Sequence, residues 1–275
     1  MFTEPFMQRA LLAALFLTPL CALLGVFVTA RRLAFFSDTI SHGTLAGVAL
    51  AFWWGWSDPT VPMVLFSLLM AAAILWLKEH TELLTDTIMA LLLSGSVSLA
   101  MILFSFLKSY RGEVHRFLFG DILAVGAGEV VAAGVLLAVV GTGLFYRLSD
   151  LSLVTAQEDL AHVCGIRVRR LNYLFSLVLT LTVAMSIRLM GIILVSSLLV
   201  IPAAAARNLS RNLRQHLVGS VGVGVLSGLS GTMLSYELDA PCGPTIVMAA
   251  ISCFVMTLVV SGLAGRRFKG MRHSA

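Results

Sequence analysis

The chain has 275 residues, of which 59% are apolar and 12% charged, with a mean hydropathy of +0.96. An ordinary soluble domain carries about 25% charged residues, so this composition excludes a water-soluble fold and indicates an all-α, polytopic membrane protein. The net charge of +5 is not a nucleic-acid footprint, because the arginines sit between apolar runs and after the last one, without interleaved aromatics.

Apolar runs fall at about 10–30, 37–56, 60–77, 87–107, 128–146, 171–187, 190–206, 217–236 and 244–264. Most approach the ~20 residues that cross a ~30 Å hydrocarbon core as a helix. The first lacks a basic leader and a small-residue cleavage site, so it reads as a retained helix. The second follows Arg31-Arg32-Leu33 and carries Asp38 and His42 near its start, with Gly43 and Gly47 as small residues for close helix packing. The fifth opens on Glu129 after Gly126-Ala127-Gly128, a carboxylate suited to a helix N-terminus. A hydrophilic interval, 149–170, separates the fifth and sixth runs. In it Thr155 and Glu158 have capping-box spacing and Gly165 is a C-terminal stop, predicting one short cytoplasmic helix over about 152–167, either a docking element or a connector. The run at 190–206 is short and holds Pro202, so it reads as a broken or partial crossing, giving eight or nine spans in a single transmembrane domain, 1–275.

Lysine and arginine set the orientation. Arg31, Arg32, Lys78, Arg147, Arg167, Arg169, Arg170, Arg207, Arg211, Arg214 and the tail from Arg266 fall on one side if all nine runs cross, which places that side in the cytoplasm and the amino terminus outside. Lys108, Arg111 and Arg116 violate the rule; the loops at 56–59 and 236–241 contain no lysine or arginine.

Asp38 and His42 are the residues with the clearest chemistry. A carboxylate within a membrane helix costs roughly 2.5–3.5 kcal/mol on insertion scales and marks a pathway or site. Four residues apart, the two side chains share one helical face and supply a mixed oxygen and nitrogen donor pair that Zn, Mn and Fe all accept. The structural alternative is a helix-start pair, with Asp38 capping backbone N–H groups. Asp121, Asp239, His80, His115, His162, His216 and His273 read as turn or solvated residues, and Cys21, Cys164, Cys242 and Cys253 show no C-x-x-C spacing. No phosphate loop, H-E-x-x-H, G-x-S-x-G or deaminase pattern occurs, so the sequence offers no catalytic residues and no cofactor site.

Phe36-Ser37-Asp38-Thr39-Ile40-Ser41-His42-Gly43-Thr44-Leu45-Ala46-Gly47-Val48-Ala49 resembles the F-G-D-[AT]-[IL]-[SA]-H-[AS]-x-[LP]-x-G-V-A signature of permease subunits of metal-uptake ABC transporters. Phe117-Leu118-Phe119-Gly120-Asp121-Ile122-Leu123, Glu158-Asp159-Leu160-Ala161 to Gly165, the 191–207 run and Asp239-Ala240-Pro241-Cys242-Gly243-Pro244 match in order. The resemblance, closest to bacterial zinc permeases, implies an inner-membrane importer of a divalent metal, Zn before Mn or Fe. It implies two permease copies as a homodimer, a separate cytoplasmic ATPase and a periplasmic or lipid-anchored metal-binding protein, with no enzyme activity in this chain. It further implies that Asp38 and His42 handle the metal and that Glu158, Asp159, Leu160 and Gly165 belong to a coupling helix resting on the ATPase. One departure concerns zinc: zinc-type relatives often carry a histidine in the fourth span, where this chain reads Leu92-Leu93-Ser94-Gly95.

The alternative reading is a proton-coupled secondary cation carrier with Asp38 and His42 as its relay. An intramembrane metal enzyme would need three protein ligands and a base, and the sequence offers two ligands.

Overall fold

The structure is a computed structural model and describes residues 5–107, 120 and 125–272, with side chains from 6 to 263. Every regular element among the described residues is a helix: α1 (Pro5–Ala30), α2 (Ala34–Trp53), α3 (Thr60–His80), α4 (Thr85–Phe106), α5 (Ala127–Tyr146), α6 (Leu148–Ala156), α7 (Glu158–Val163), α8 (Val168–Met190), α9 (Ile192–Arg207), α10 (Leu213–Leu238) and α11 (Cys242–Arg272). The breaks between them follow local chemistry. Arg32 takes a left-handed φ of 57° after α1, Gly165 (78°) closes α7 and Asp239 (49°) ends α10. Asn212 caps α10 by accepting the Gln215 N–H at 2.8 Å.

Helices α1, α3, α4, α5, α8, α10 and α11 are long and apolar enough to cross a membrane. Helix α2 has 20 residues but lower hydropathy, because Ser37, Asp38, Thr39, Ser41, His42 and Thr44 interrupt it. It lies at the centre, packed on α3, α4, α8 and α9, while α1 packs on α5, α9 and α10, and α11 on α9 and α10. Gly47 brings α2 against α3, where a Cβ would sit 2.8 Å from the Phe66 Cβ.

Contacts at the helix ends test the orientation. The end of α1, the starts of α2, α4 and α8, the end of α3 and the α6–α7 segment line one cavity containing Arg31 and Lys78, so the basic end of the bundle is a single face. At the opposite end, Arg188 of α8 meets Asp58 of the α2–α3 loop and Glu129 of α5. Helices α2, α3 and α8 therefore run from one end to the other.

Three expectations are corrected. Helix α9 is continuous through Pro202, not broken. Its 16 residues span about 24 Å, and it starts at the outer end of α8 and finishes near α10, where His216 Nε2 lies 2.9 Å from the Ala203 carbonyl. A helix enclosed by α1, α2, α10 and α11 does not have to match the bilayer thickness. This contact also shows that His216 is not simply solvated. The interval expected to form one helix over 152–167 instead forms two: α6 begins at Leu148, and Gln157 at φ −151° separates it from α7. The Thr155 hydroxyl donates to the Leu151 carbonyl at 2.6 Å, so it does not cap α7. Gly165 is the stop that was expected: its N–H and that of Ile166 turn back to the carbonyls of His162 and Ala161. The 108–119 stretch with Lys108, Arg111, His115 and Arg116, Asp121 and His273 lie outside the described residues.

The approach of α1 to α9 depends on Gly25, where a Cβ would fall 2.0 Å from the Leu199 carbonyl oxygen. Gly25→Ala is expected to cost about 1–3 kcal/mol through overpacking, read as a lowered melting temperature of the detergent-solubilised chain.

Candidate metal-handling site

Helix α2 begins at Ala34, with Leu33 at its N-cap and no side-chain capping bond. Asp38 is therefore in the second turn, where its backbone N–H already has an intrahelical acceptor, and the helix-start reading of the pair no longer applies. From Phe36 to Phe52 every residue of α2 is buried except Asp38, His42 and Leu50. The two ionisable side chains of the central helix thus stand at partly open positions, one turn apart on the same face.

His42 Nε2 lies 3.7 Å from Asp38 Oδ1, with side-chain exposures of 35% and 38%. That separation is too long for a good hydrogen bond. It is close to the donor–donor distance of about 3.4 Å that two ligands about 2.1 Å from a common tetrahedral ion adopt. Small closing motions suffice for both to touch one cation. Among the described residues no group of three or more His, Cys, Asp or Glu side chains gathers at one point. Among the described residues, Asp38 and His42 are the two side chains of this kind that meet here. Ser94 is exposed on α4.

Of the expected coupling residues, Glu158, Asp159 and Leu160 form the first half of α7 on the basic face, and Gly165 follows it. Leu160 is 46% and Val163 85% exposed, so the short helix presents apolar side chains outward.

Two arginine clusters were missed from sequence. At the basic end Arg31 donates from Nε to the Thr155 hydroxyl (2.8 Å), from Nη1 to Asn172 Oδ1 (2.9 Å) and from Nη2 to the Leu151 carbonyl (3.4 Å). At the other end Arg188 bridges Asp58 (2.9 Å) and Glu129 (3.0 Å), and Glu129 also accepts the Gly126 N–H at 3.0 Å in the capping role expected of it. The available signal was an arginine late in an apolar run, which requires an acidic partner.

The Thr60 hydroxyl, against the cost of partial burial, and then the Thr60 N–H and Arg188 hold Asp58 below its ordinary carboxylate range. A depressed carboxyl contributes stability above its unfolded pKa, and that contribution is lost as pH falls through the folded value. Thermal melts below about pH 4 should therefore show a steeper loss for the wild-type chain than for Asp58→Asn.

The sequence model of the ABC 3 transport family matches residues 3–261. The high-affinity zinc uptake system membrane protein ZnuB of Haemophilus influenzae is 32% identical over 249 residues, covering 90% of this chain and 95% of that protein. The chelated iron transport system membrane protein YfeD of Yersinia pestis is 32% identical over 266 residues, 94% of this chain and 86% of that one. The manganese transport system membrane protein MntC of Halalkalibacterium halodurans is 29% identical, covering 97% and 92%. Among solved structures, PsaBC from Streptococcus pneumoniae in complex with Fab superposes with a TM-score of 0.82 at 28% identity, covering 93% of this chain and 91% of that chain.

Proposed function

This chain belongs to the ABC 3 transport family, and on that premise we propose that it is the permease of an importer carrying a divalent transition metal, zinc before manganese or iron, through Asp38 and His42. It is a multi-pass protein of the bacterial inner membrane and part of a metal-ion ABC transporter. The observation that carries the site reading is the pair of partly open positions on the otherwise buried α2, which hold an oxygen and a nitrogen donor 3.7 Å apart.

Two donors suit transport better than storage. A closed four-ligand shell retains a metal, whereas a sparse pair completed by water releases it. In a homodimer the second copy would bring its own Asp38 and His42 to the pore. A separate ATPase on the cytoplasmic face supplies the energy through α7, and an extracytoplasmic binding protein delivers the ion. Ligation needs a neutral imidazole and an ionised carboxylate, so protons compete with the metal and uptake weakens on acidification.

Proteoliposomes holding the permease and its ATPase, loaded with binding protein and offered Zn, Mn and Fe in competition, test the reading. ATP-dependent uptake with zinc preferred is the expected result. Uptake by this chain alone, driven by a proton gradient, would establish the secondary carrier instead.

A further inference from the structure

Helices α5 and α8 pack on each other and, with the start of α6, leave a groove of 340 Å³ near the basic end. Val139 and Gly143 of α5 and Leu174, Val178 and Leu181 of α8 form its walls, with Leu151 of α6 at its inner end. Val139 and Leu174 are 65% and 53% exposed, so the groove opens sideways toward the bilayer. Water has no favourable place in an apolar slot at that depth, and no described side chain fills it.

Its dimensions and charges identify the occupant. From Leu171 to Leu181 the α8 wall rises about 15 Å, half of the ~30 Å hydrocarbon core and hence the depth of one leaflet. At the mouth stand Tyr146, 85% exposed, and Arg147, an aromatic and a cation of the kinds that settle at the cytoplasmic headgroup level. Arg170 is exposed on the same α8 stripe as Leu174 and Leu181, one turn nearer the basic end. Asp150 pairs with Arg147 at 3.2 Å and offsets part of this charge, leaving an excess of one cation at the mouth.

We propose that this groove holds one acyl chain of an anionic phospholipid of the inner leaflet, with its phosphate on Arg147 and Arg170. The inference rests on the orientation of the helices and is independent of which metal is carried. The lipid would lie against Leu151, whose carbonyl accepts from Arg31, and so beside the segment proposed to meet the ATPase.

Gly143 makes the test clean, because a Cβ there meets nothing within 4 Å and a larger side chain would occupy the groove itself. The full chain, purified in detergent and supplied with equal phosphatidylglycerol and phosphatidylethanolamine, is analysed by native mass spectrometry. Wild type is expected to retain one phosphatidylglycerol per chain. Gly143→Phe should lower that retention at least tenfold with an unchanged elution profile, and Arg147→Gln with Arg170→Gln should bring the preference between the two lipids close to one. Equal retention by wild type and Gly143→Phe, an undiminished preference in the arginine variant, or disulfide-linked dimers of Gly143→Cys in membranes, which would put a second copy there, each overturns the assignment.

Discussion

Replacing Asp38 or His42 by alanine is expected to lower metal uptake by more than about 100-fold while leaving assembly with the ATPase and basal ATP hydrolysis intact. The separation of function from folding follows from the geometry. Both side chains are more than a third exposed and lie 3.7 Å apart without a hydrogen bond. Removing either therefore strands no buried charge and costs folding no more than an exposed pair does, about 0–1 kcal/mol. On the proposed site reading the carrier loses much more, because each substitution removes one of the two donors identified among the described residues. Asp38→Asn should fall almost as far as Asp38→Ala: the amide keeps the shape but gives up the anionic oxygen that compensates the metal's charge. Uptake into proteoliposomes, measured beside ATP turnover and a melting curve for each variant, decides the matter. Normal uptake by both alanine variants would remove the site assignment.

The sequence made the spans legible because membrane burial writes itself into long apolar runs, and each of the nine expected runs lies on a helix of the structure. Their ends were less visible. Helix α2 starts at Ala34, three residues before its expected start, because Phe35 and Phe36 already pack inward and the reversal is made by Arg32 in a left-handed conformation that no motif announced. That shift is what changes Asp38 from a capping residue into one at a partly open position. Pro202 suggested a break, but an enclosed helix loses only one intrahelical bond to proline and is held on its other faces. The donor pair itself was readable from its i, i+4 spacing. The arginine clusters were not, since Arg188 and Asp58 are 130 residues apart and only the tertiary packing brings them together.

Arg31→Lys is expected to leave a folded permease that supports ATP turnover but imports several-fold fewer ions per ATP. Arg31 occupies the turn between α1 and α2, and its guanidinium reaches three acceptors on two helices: Thr155 and Leu151 on α6 and Asn172 on α8. It also lies 5.0 Å from the centre of the Phe175 ring. Burial lowers its basicity and Glu158 of α7 acts in the opposite direction, so its charge is matched to the segment proposed to receive the ATPase stroke. Asp38 is seven residues further on, in the second turn of α2. On the proposed reading that this segment receives the ATPase stroke, a push on α6 would reach the donor pair through one planar fork. Lysine carries the same charge as a point on a flexible stem and cannot hold three acceptors in that plane. Arg31→Ala removes the fork entirely and takes its donor from Asn172 Oδ1, while the Leu151 carbonyl keeps the Thr155 hydroxyl. That should cost about 2–4 kcal/mol, a fall on the order of 5–10 °C in melting temperature for a chain of this size. The lysine variant separates bracing from transmission. If it melts lower than wild type yet keeps the wild-type ratio of ions to ATP, Arg31 is a brace and the stroke travels by another route.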